Sequence, residues 1–287
     1  MTFSSPAKGA VPLPIAWGGR RVAKLGQAVQ FSAMPGHIAS LYRYPVKGFT
    51  PERLEHAELK TGAYFPCDRV YAVENGPSGF DPAAPTFVSK GRFTVLARIP
   101  RVALVRTAYE EASGVLTVTA EGCASFAGDL QGEAGRTAFA AWLTDFLGPE
   151  EVNGPLKVLC APPHRFTDDI RGFVSVINLA SVRDLEEKLG KTLDPLRFRG
   201  NIQVEGWPAW SELEFAPGAE VRLGGVRAAV HKPITRCIAT HVDPLTGERD
   251  IDLIPALRDL YGHLYCGIYL NVTGGGRVQD GDPAELS

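Results

Sequence analysis

From His37 onward, short stretches in which apolar and polar residues alternate follow one another, each closed off by glycine, proline or asparagine. H-I-A-S-L-Y-R-Y-P-V-K-G starts the series, and R-V-Y-A-V-E (69–74), R-V-A-L-V-R-T-A-Y (101–109) and G-V-L-T-V-T-A (114–120) continue it. A period of two puts alternate side chains on one face, so each stretch predicts a strand with one buried side. Asn75-Gly76 and Ser78-Gly79 predict turns. The second half repeats the pattern. G-F-V-S-V-I-N-L (172–179) reads as a buried strand, and F-R-G-N-I-Q-V-E-G (198–206), E-V-R-L-G-G-V-R-A-A-V (220–230) and C-I-A-T-H-V-D (237–243) read as further strands.

Helical periodicity is rare. Residues 136–147 predict a helix that carries Phe139, Leu143, Phe146 and Leu147 on one face and stops at Gly148-Pro149. Residues 180–190 predict a second, with Ser181 as N-cap and Gly190 as stop. Residues 255–261 predict a short third. This proportion points to a mainly β, α+β protein whose strands close on themselves, with helices on the rim. Residues 1–36 are rich in Pro, Gly and Ala without sustained periodicity and read as a tail or arm. The remainder divides into 37–148 and 149–287, and 287 residues suffice for a full core.

A formal net charge of −2 supplies no global basic field, which argues against a dedicated nucleic-acid binder. No run of 18 apolar residues occurs, and the first 21 residues lack a continuous apolar segment after a basic one. Neither a membrane span nor a signal peptide is expected, and the cytoplasm is the expected compartment. The five cysteines, Cys67, Cys123, Cys160, Cys237 and Cys266, contain no C-x-x-C. A zinc ribbon or an iron–sulfur site is therefore not written here, and a reducing compartment is the default.

Cys237 follows Arg236, with His231 and Lys232 just upstream. A free cysteine is ordinarily a small core residue. Cations beside a thiol favour the thiolate, the form that binds metals and attacks electrophiles. One thiolate does not make a zinc site, yet it can anchor a metal whose other ligands a cofactor supplies. In R-F-R-G-N (197–201), Arg197, Arg199 and Asn201 share one side of an extended segment. That arrangement suits a phosphate or polar heterocycle, and equally a solvated face paired with Glu205 or Glu212. Lys47 in Y-P-V-K-G and Arg69 in C-D-R are cations at strand ends with the same two readings. G-G-G-R-V-Q-D-G-D-P (274–283) reads as a tight hairpin turning at Asp280-Gly281 rather than as a phosphate loop. His164, His241 and His263 are scattered and have no evident partner.

Y-P-V-K, then D-R, then R-F-R-G-N-I-Q-V-E-G, T-R-C-I-A-T-H-V-D-P-L-T-G and a closing G-x-V-x-x-G-D, in this order, resemble the MOSC family. The resemblance spans roughly residues 37 to 287, and is closest to the branch that carries an N-terminal MOSC β-barrel domain, which includes amidoxime-reducing proteins. It implies two barrel-like subdomains, 37–148 and 149–287, and a molybdenum cofactor of the molybdopterin type. By resemblance Cys237 would be the catalytic metal ligand. Lys47 and Arg69 would bind the pterin phosphate or pyran region, Arg199 and Asn201 would hold the pterin, and Thr235 and Arg236 would border the metal. The implied activity is reduction of N-hydroxylated compounds, with Asp169, His241 and Asp243 as candidate acids for N–O cleavage. Electrons would come from a separate ferredoxin, flavodoxin or cytochrome with its reductase, because the chain carries no iron–sulfur cluster of its own. Such relatives commonly carry serine after the Y-P-V-K lysine, and here it is Gly48. Two other readings stay open: a persulfide carrier or cofactor-handling protein built on Cys237, and a fold kept as a binding module.

Overall fold

The computed structural model describes residues 34–169, 171 and 173–286. Residues 1–33 of the expected arm lie outside these. Met34, Pro35 and Gly36 belong instead to the first strand, β1 (Met34–Arg43). There follow β2 (Glu52–Leu54), β3 (His56–Leu59), β4 (Tyr71–Asn75), β5 (Arg106–Tyr109), β6 (Val115–Thr119), β7 (Phe126–Asp129), α1 (Glu133–Leu147) and β8 (Leu156–Cys160). The second half contributes β9 (Val174–Asn178), α2 (Leu179–Leu189), β10 (Ile202–Glu205), β11 (Glu220–Leu223), β12 (Val226–Thr235), α3 (Leu253–Tyr261), β13 (Tyr265–Gly274), β14 (Gly276–Gln279) and β15 (Pro283–Leu286).

The expected mainly β architecture is present. Strands β10, β9, β13, β12, β11, β15 and β1 lie side by side in that order, and β1 also pairs with β10, closing a seven-stranded barrel. β2 is added outside the ring against β1. Closure satisfies backbone groups that an open sheet would leave on its edges. Inside, Ile38, Leu41, Val176, Ile202, Val204, Val221, Val226, Ile268 and Leu270 are buried, so side chains fill the barrel. Strict alternation fails in β1, because Ile38 and Leu41 are three apart yet both buried. A register shift between Ile38 and Ser40 reconciles them.

The first-half strands beyond β1 to β3 form smaller sheets. β4 pairs with β8, and β5, β6 and β7 form an antiparallel trio. They share a core with α1, whose Phe139, Leu143, Phe146 and Leu147 are buried as the periodicity predicts. Full burial of such side chains contributes about 1.5–3 kcal/mol each before entropy is counted.

Four local expectations are corrected. Residues 100–104 form a 3-10 turn led by Pro100, which lacks the N–H a strand ladder needs, so β5 starts only at Arg106. Asn178, not Ser181, caps α2, accepting from the Ala180 N–H at 3.1 Å, while the Ser181 hydroxyl donates to Glu212. Asp280-Gly281 joins β14 to β15, but β14 pairs with β3 and β15 with β1 and β11, so no hairpin forms there. Residues 237–243 do not form a strand; Ile238–His241 is a 3-10 turn held by Thr240, whose N–H and hydroxyl both donate to the Cys237 carbonyl.

Candidate functional site

The ends of several elements surround one cavity of about 550 Å³. Lys47 and Gly48 follow β1, Asp68 and Arg69 precede β4, and Lys90 opens a 3-10 turn (Lys90–Arg92). Thr167, Asp168 and Asp169 come from the segment between β8 and β9, and Arg199 and Asn201 from the one before β10. Thr235 ends β12, and Arg236 and Cys237 follow it. The seven residues singled out in the sequence, Lys47, Arg69, Arg199, Asn201, Thr235, Arg236 and Cys237, thus all line this cavity.

The segment 197–201 is not extended. Asp194 caps a 3-10 turn (Pro195–Phe198), and Arg199 takes a left-handed conformation with φ 53°. The two arginines therefore diverge. Arg197 is 2% exposed; it reaches Asp243 and Asp250, each at 2.7 Å, and the His241 carbonyl at 3.1 Å. Arg199 donates to the Phe49 carbonyl at 2.8 Å, and its Nη2 is buried with no hydrogen-bond partner. Neither pairs with Glu205, which binds Arg183, or Glu212, which takes Asn178 and Ser181.

Arg69 is also left-handed, with φ 48°. It pairs with Asp68 and donates to the Arg199 carbonyl at 3.1 Å. Burial draws the Arg199 pKa down to about 10, and neighbouring Arg69 adds to the fall while Tyr44 and Asp68 oppose it. It stays charged at neutral pH. Burial also lowers the Lys47 pKa, against the pull of Asp168, whose carboxylate sits 2.7 Å away. On Asp168, burial works to raise the pKa, but Lys47, Lys90 and Arg69 outweigh it and hold the value at about 2.

Lys90 is electrostatically coupled to the Cys237 thiol, as is Arg236. Burial works to lower the Lys90 pKa, and Asp168 and Cys237 more than restore it. Arg236, next to Cys237 in sequence, donates to the carbonyls of Phe198 and Cys266. It joins the turn before β10 to β13. Asn201 is similarly committed: its amide oxygen accepts from Ser175 and its nitrogen donates to the Tyr42 carbonyl. Both residues shape the wall through backbone contacts. Lys232 is paired with Asp169, and His231 stacks on Phe173 with centroids 4.0 Å apart.

Of the three candidate acids, only Asp169 lines the cavity. Burial works against its charge, but hydrogen bonds from Lys232 and Arg171 keep its pKa below the usual carboxylate value, so it holds no proton at neutral pH. His241 faces Asp252 and the Ile254 N–H, and Asp243 faces Arg197. Gly48 has φ +90°, and a Cβ there would lie 2.8 Å from the Val95 Cα and 2.9 Å from the Thr94 carbonyl. The backbone at this position leaves no room for serine. Lys90 and Asp168 were not singled out in the sequence, because F-V-S-K-G-R-F carries no periodicity and nothing local marks which of two adjacent aspartates meets Lys47.

A family model described as the MOSC N-terminal beta barrel domain matches residues 35–153, and one described as the MOSC domain matches residues 163–285. The chain belongs to the MOSC family. Human mitochondrial amidoxime-reducing component 1 is 25% identical to this MOSC protein across 99% of this chain and 90% of its own length. A molybdenum cofactor sulfurase from Drosophila grimshawi is 35% identical over 99 residues, 33% of this chain and only 12% of the sulfurase. The YUAD protein from Bacillus subtilis matches 89% of this chain and 97% of its own at 14% identity and a TM-score of 0.43.

Among the described residues of this MOSC chain, no cluster of three or more His, Cys, Asp or Glu is arranged to hold a metal, and no helix is long and apolar enough to cross a membrane. A metal at Cys237 therefore needs ligands from elsewhere. A phosphorylated dithiolene pterin would fit the residues present. The unpartnered Nη2 of Arg199, the buried Lys47 and the partly buried Arg69 suit an anionic end, and the thiol near Lys90 suits a soft metal.

Proposed function

We propose that this MOSC protein is an oxidoreductase that binds a molybdenum cofactor and reduces N-hydroxylated compounds such as hydroxylamines, N-hydroxylated bases and amidoximes. The observation that carries the reading is the convergence, on one cavity, of the Cys237 thiol with Lys47, Arg69 and Arg199. A thiol carrier needs the cysteine and one helper cation; it has no use for a guanidinium nitrogen buried without a hydrogen-bond partner in the same cavity.

When bound, the cofactor supplies two-electron oxygen-atom exchange at molybdenum. The remaining roles belong to the chain. Cys237 would hold the metal through its thiolate, and Lys90 would offset negative charge there. Lys47, Arg69 and Arg199 hold the phosphate-bearing end, where each desolvated charge-assisted hydrogen bond counts for more than in water. Asn201 fixes the wall between β1 and β9, and Arg236 fixes it between the turn before β10 and β13. Thr235, exposed at the end of β12, would border the metal. We assign electron delivery to a separate ferredoxin, flavodoxin or cytochrome with its reductase. The reducing cytoplasm suits the free thiols of the chain.

The test is molybdenum and pterin content of protein made in a cofactor-producing host, beside Cys237→Ser. Near-equimolar molybdenum and pterin is expected in the wild type. The variant should keep its fold, lose metal, and reduce benzamidoxime at least 100-fold more slowly. Folded wild type without metal or pterin overturns the reading and leaves a thiol carrier or a binding module.

A further inference from the structure

Tyr44, the first residue of Y-P-V-K, is fully buried against the cavity wall. Its backbone N–H donates to Asp68 at 2.8 Å, and its carbonyl accepts from the Arg69 N–H at 2.7 Å. Its hydroxyl donates to the Gly200 carbonyl at 3.3 Å. One side chain therefore ties the turn before β4 to the turn before β10. The Cζ atoms of Arg69 and Arg199 each lie 4.3 Å from the centroid of its ring.

This is an unusual charge arrangement. Two partly buried guanidinium groups contact the same ring, and the carboxylate among their immediate contacts, Asp68, pairs with Arg69. Arg199 has a backbone carbonyl, the ring and an unpartnered Nη2. Like charges held together out of water repel. A ring face attracts a cation through its quadrupole, more strongly where the cation is removed from water.

We propose that Tyr44 is a positioning residue: its ring, more than its hydroxyl, holds Arg69 and Arg199 together as a ready-made anion site. The proposal deepens the cofactor reading by assigning the phosphate end to this arginine pair. The ring supplies attraction without neutralising charge, so Arg199 keeps its field for a ligand while Arg69 shares its charge with Asp68. A carboxylate in the same place would hold them but cancel one charge. The hydroxyl bond to Gly200, at 3.3 Å, is long and contributes less.

The probe is inorganic phosphate, titrated by calorimetry into cofactor-free protein, with circular dichroism as the check on fold. Tyr44→Phe keeps the ring and should bind phosphate within about threefold of wild type. Tyr44→Leu removes it and should bind at least tenfold more weakly. Loss of folding in Tyr44→Leu is anticipated by a second series that leaves shape nearly unchanged: phenylalanine, 4-fluoro-, 3,5-difluoro- and 3,4,5-trifluorophenylalanine placed at position 44. Each fluorine weakens the quadrupole, so affinity should fall stepwise along the series. A flat series, Tyr44→Leu equal to wild type, or no phosphate binding by wild type overturns the proposal. Graded phosphate binding in a protein that never takes up molybdenum or pterin would support the proposal while removing the cofactor reading.

Discussion

The Lys47 ammonium lies 2.7 Å from Oδ1 of Asp168, so the lysine of Y-P-V-K meets an acid from the segment between β8 and β9 at the cavity wall. The Asp168 side chain is 55% exposed, and the pair is therefore partly screened. Asp168→Asn is expected to cost about 1 kcal/mol at neutral pH after that discount. Because the folded-state pKa of Asp168 is depressed, from 3.8 to about 2, its contribution is fully present above 3.8 and lost as pH falls through about 2. Urea melts of wild type and variant should therefore converge in acid. The variant should also bind phosphate more tightly, since one competing anion is gone; weaker binding would count against an anionic ligand here.

Gly48→Ser is expected to damage the protein. The position has φ +90° and a Cβ would press on the backbone at Thr94 and Val95. Left-handed strain and overpacking together cost about 2–4 kcal/mol. At about 2–4 °C per kcal/mol, differential scanning calorimetry should record a fall of about 5–10 °C. An unchanged melting temperature would mean that the 94–95 segment yields easily.

Lys90→Ala should separate metal from pterin. Lys90 interacts with Cys237, whereas Lys47, Arg69 and Arg199 are assigned the phosphate end. Pterin content is expected to stay within about a third of wild type while the molybdenum-to-pterin ratio falls at least twofold, by the loss of a favourable charge near the thiolate. Equal loss of both would make Lys90 a general cofactor ligand.

Arg197→Met removes a buried cation from Asp243, Asp250 and the His241 carbonyl. Breaking such a cluster costs about 3 kcal/mol, at the low end because Asp250 keeps solvent contact. The turn that begins at Cys237 hangs from it, so benzamidoxime reduction should fall in step with stability. Arg197→Lys should rescue little, since a point charge does not reproduce a fork bonded to three acceptors.

Residues that act through local pattern were legible in the sequence. The buried face of α1 followed from its period, and the cavity lysine, arginines and cysteine stood inside motifs with a recognisable order. What the sequence hid was tertiary. Arg197 and Arg199 share parity, but a capped 3-10 turn and a left-handed residue send them different ways. Arg236 adjoins Cys237 in the chain, yet backbone carbonyls claim it, and the thiol meets Lys90 from a distant turn. No spacing rule connects residues 90 and 237; only the packing of the two halves does.

The position of β1 has a consequence for how the protein is made. It pairs with β10 on one side and with β15 on the other. Pro283–Leu286 is the last strand in sequence order among the described residues, so the ring can close only after that stretch has been made. Until then β1 has only β10 as a partner within the ring. Pairings this remote in sequence form late and slowly. Removal of the final strand should therefore leave the ring open beside β1, and with it the support for the cavity residues that follow β1.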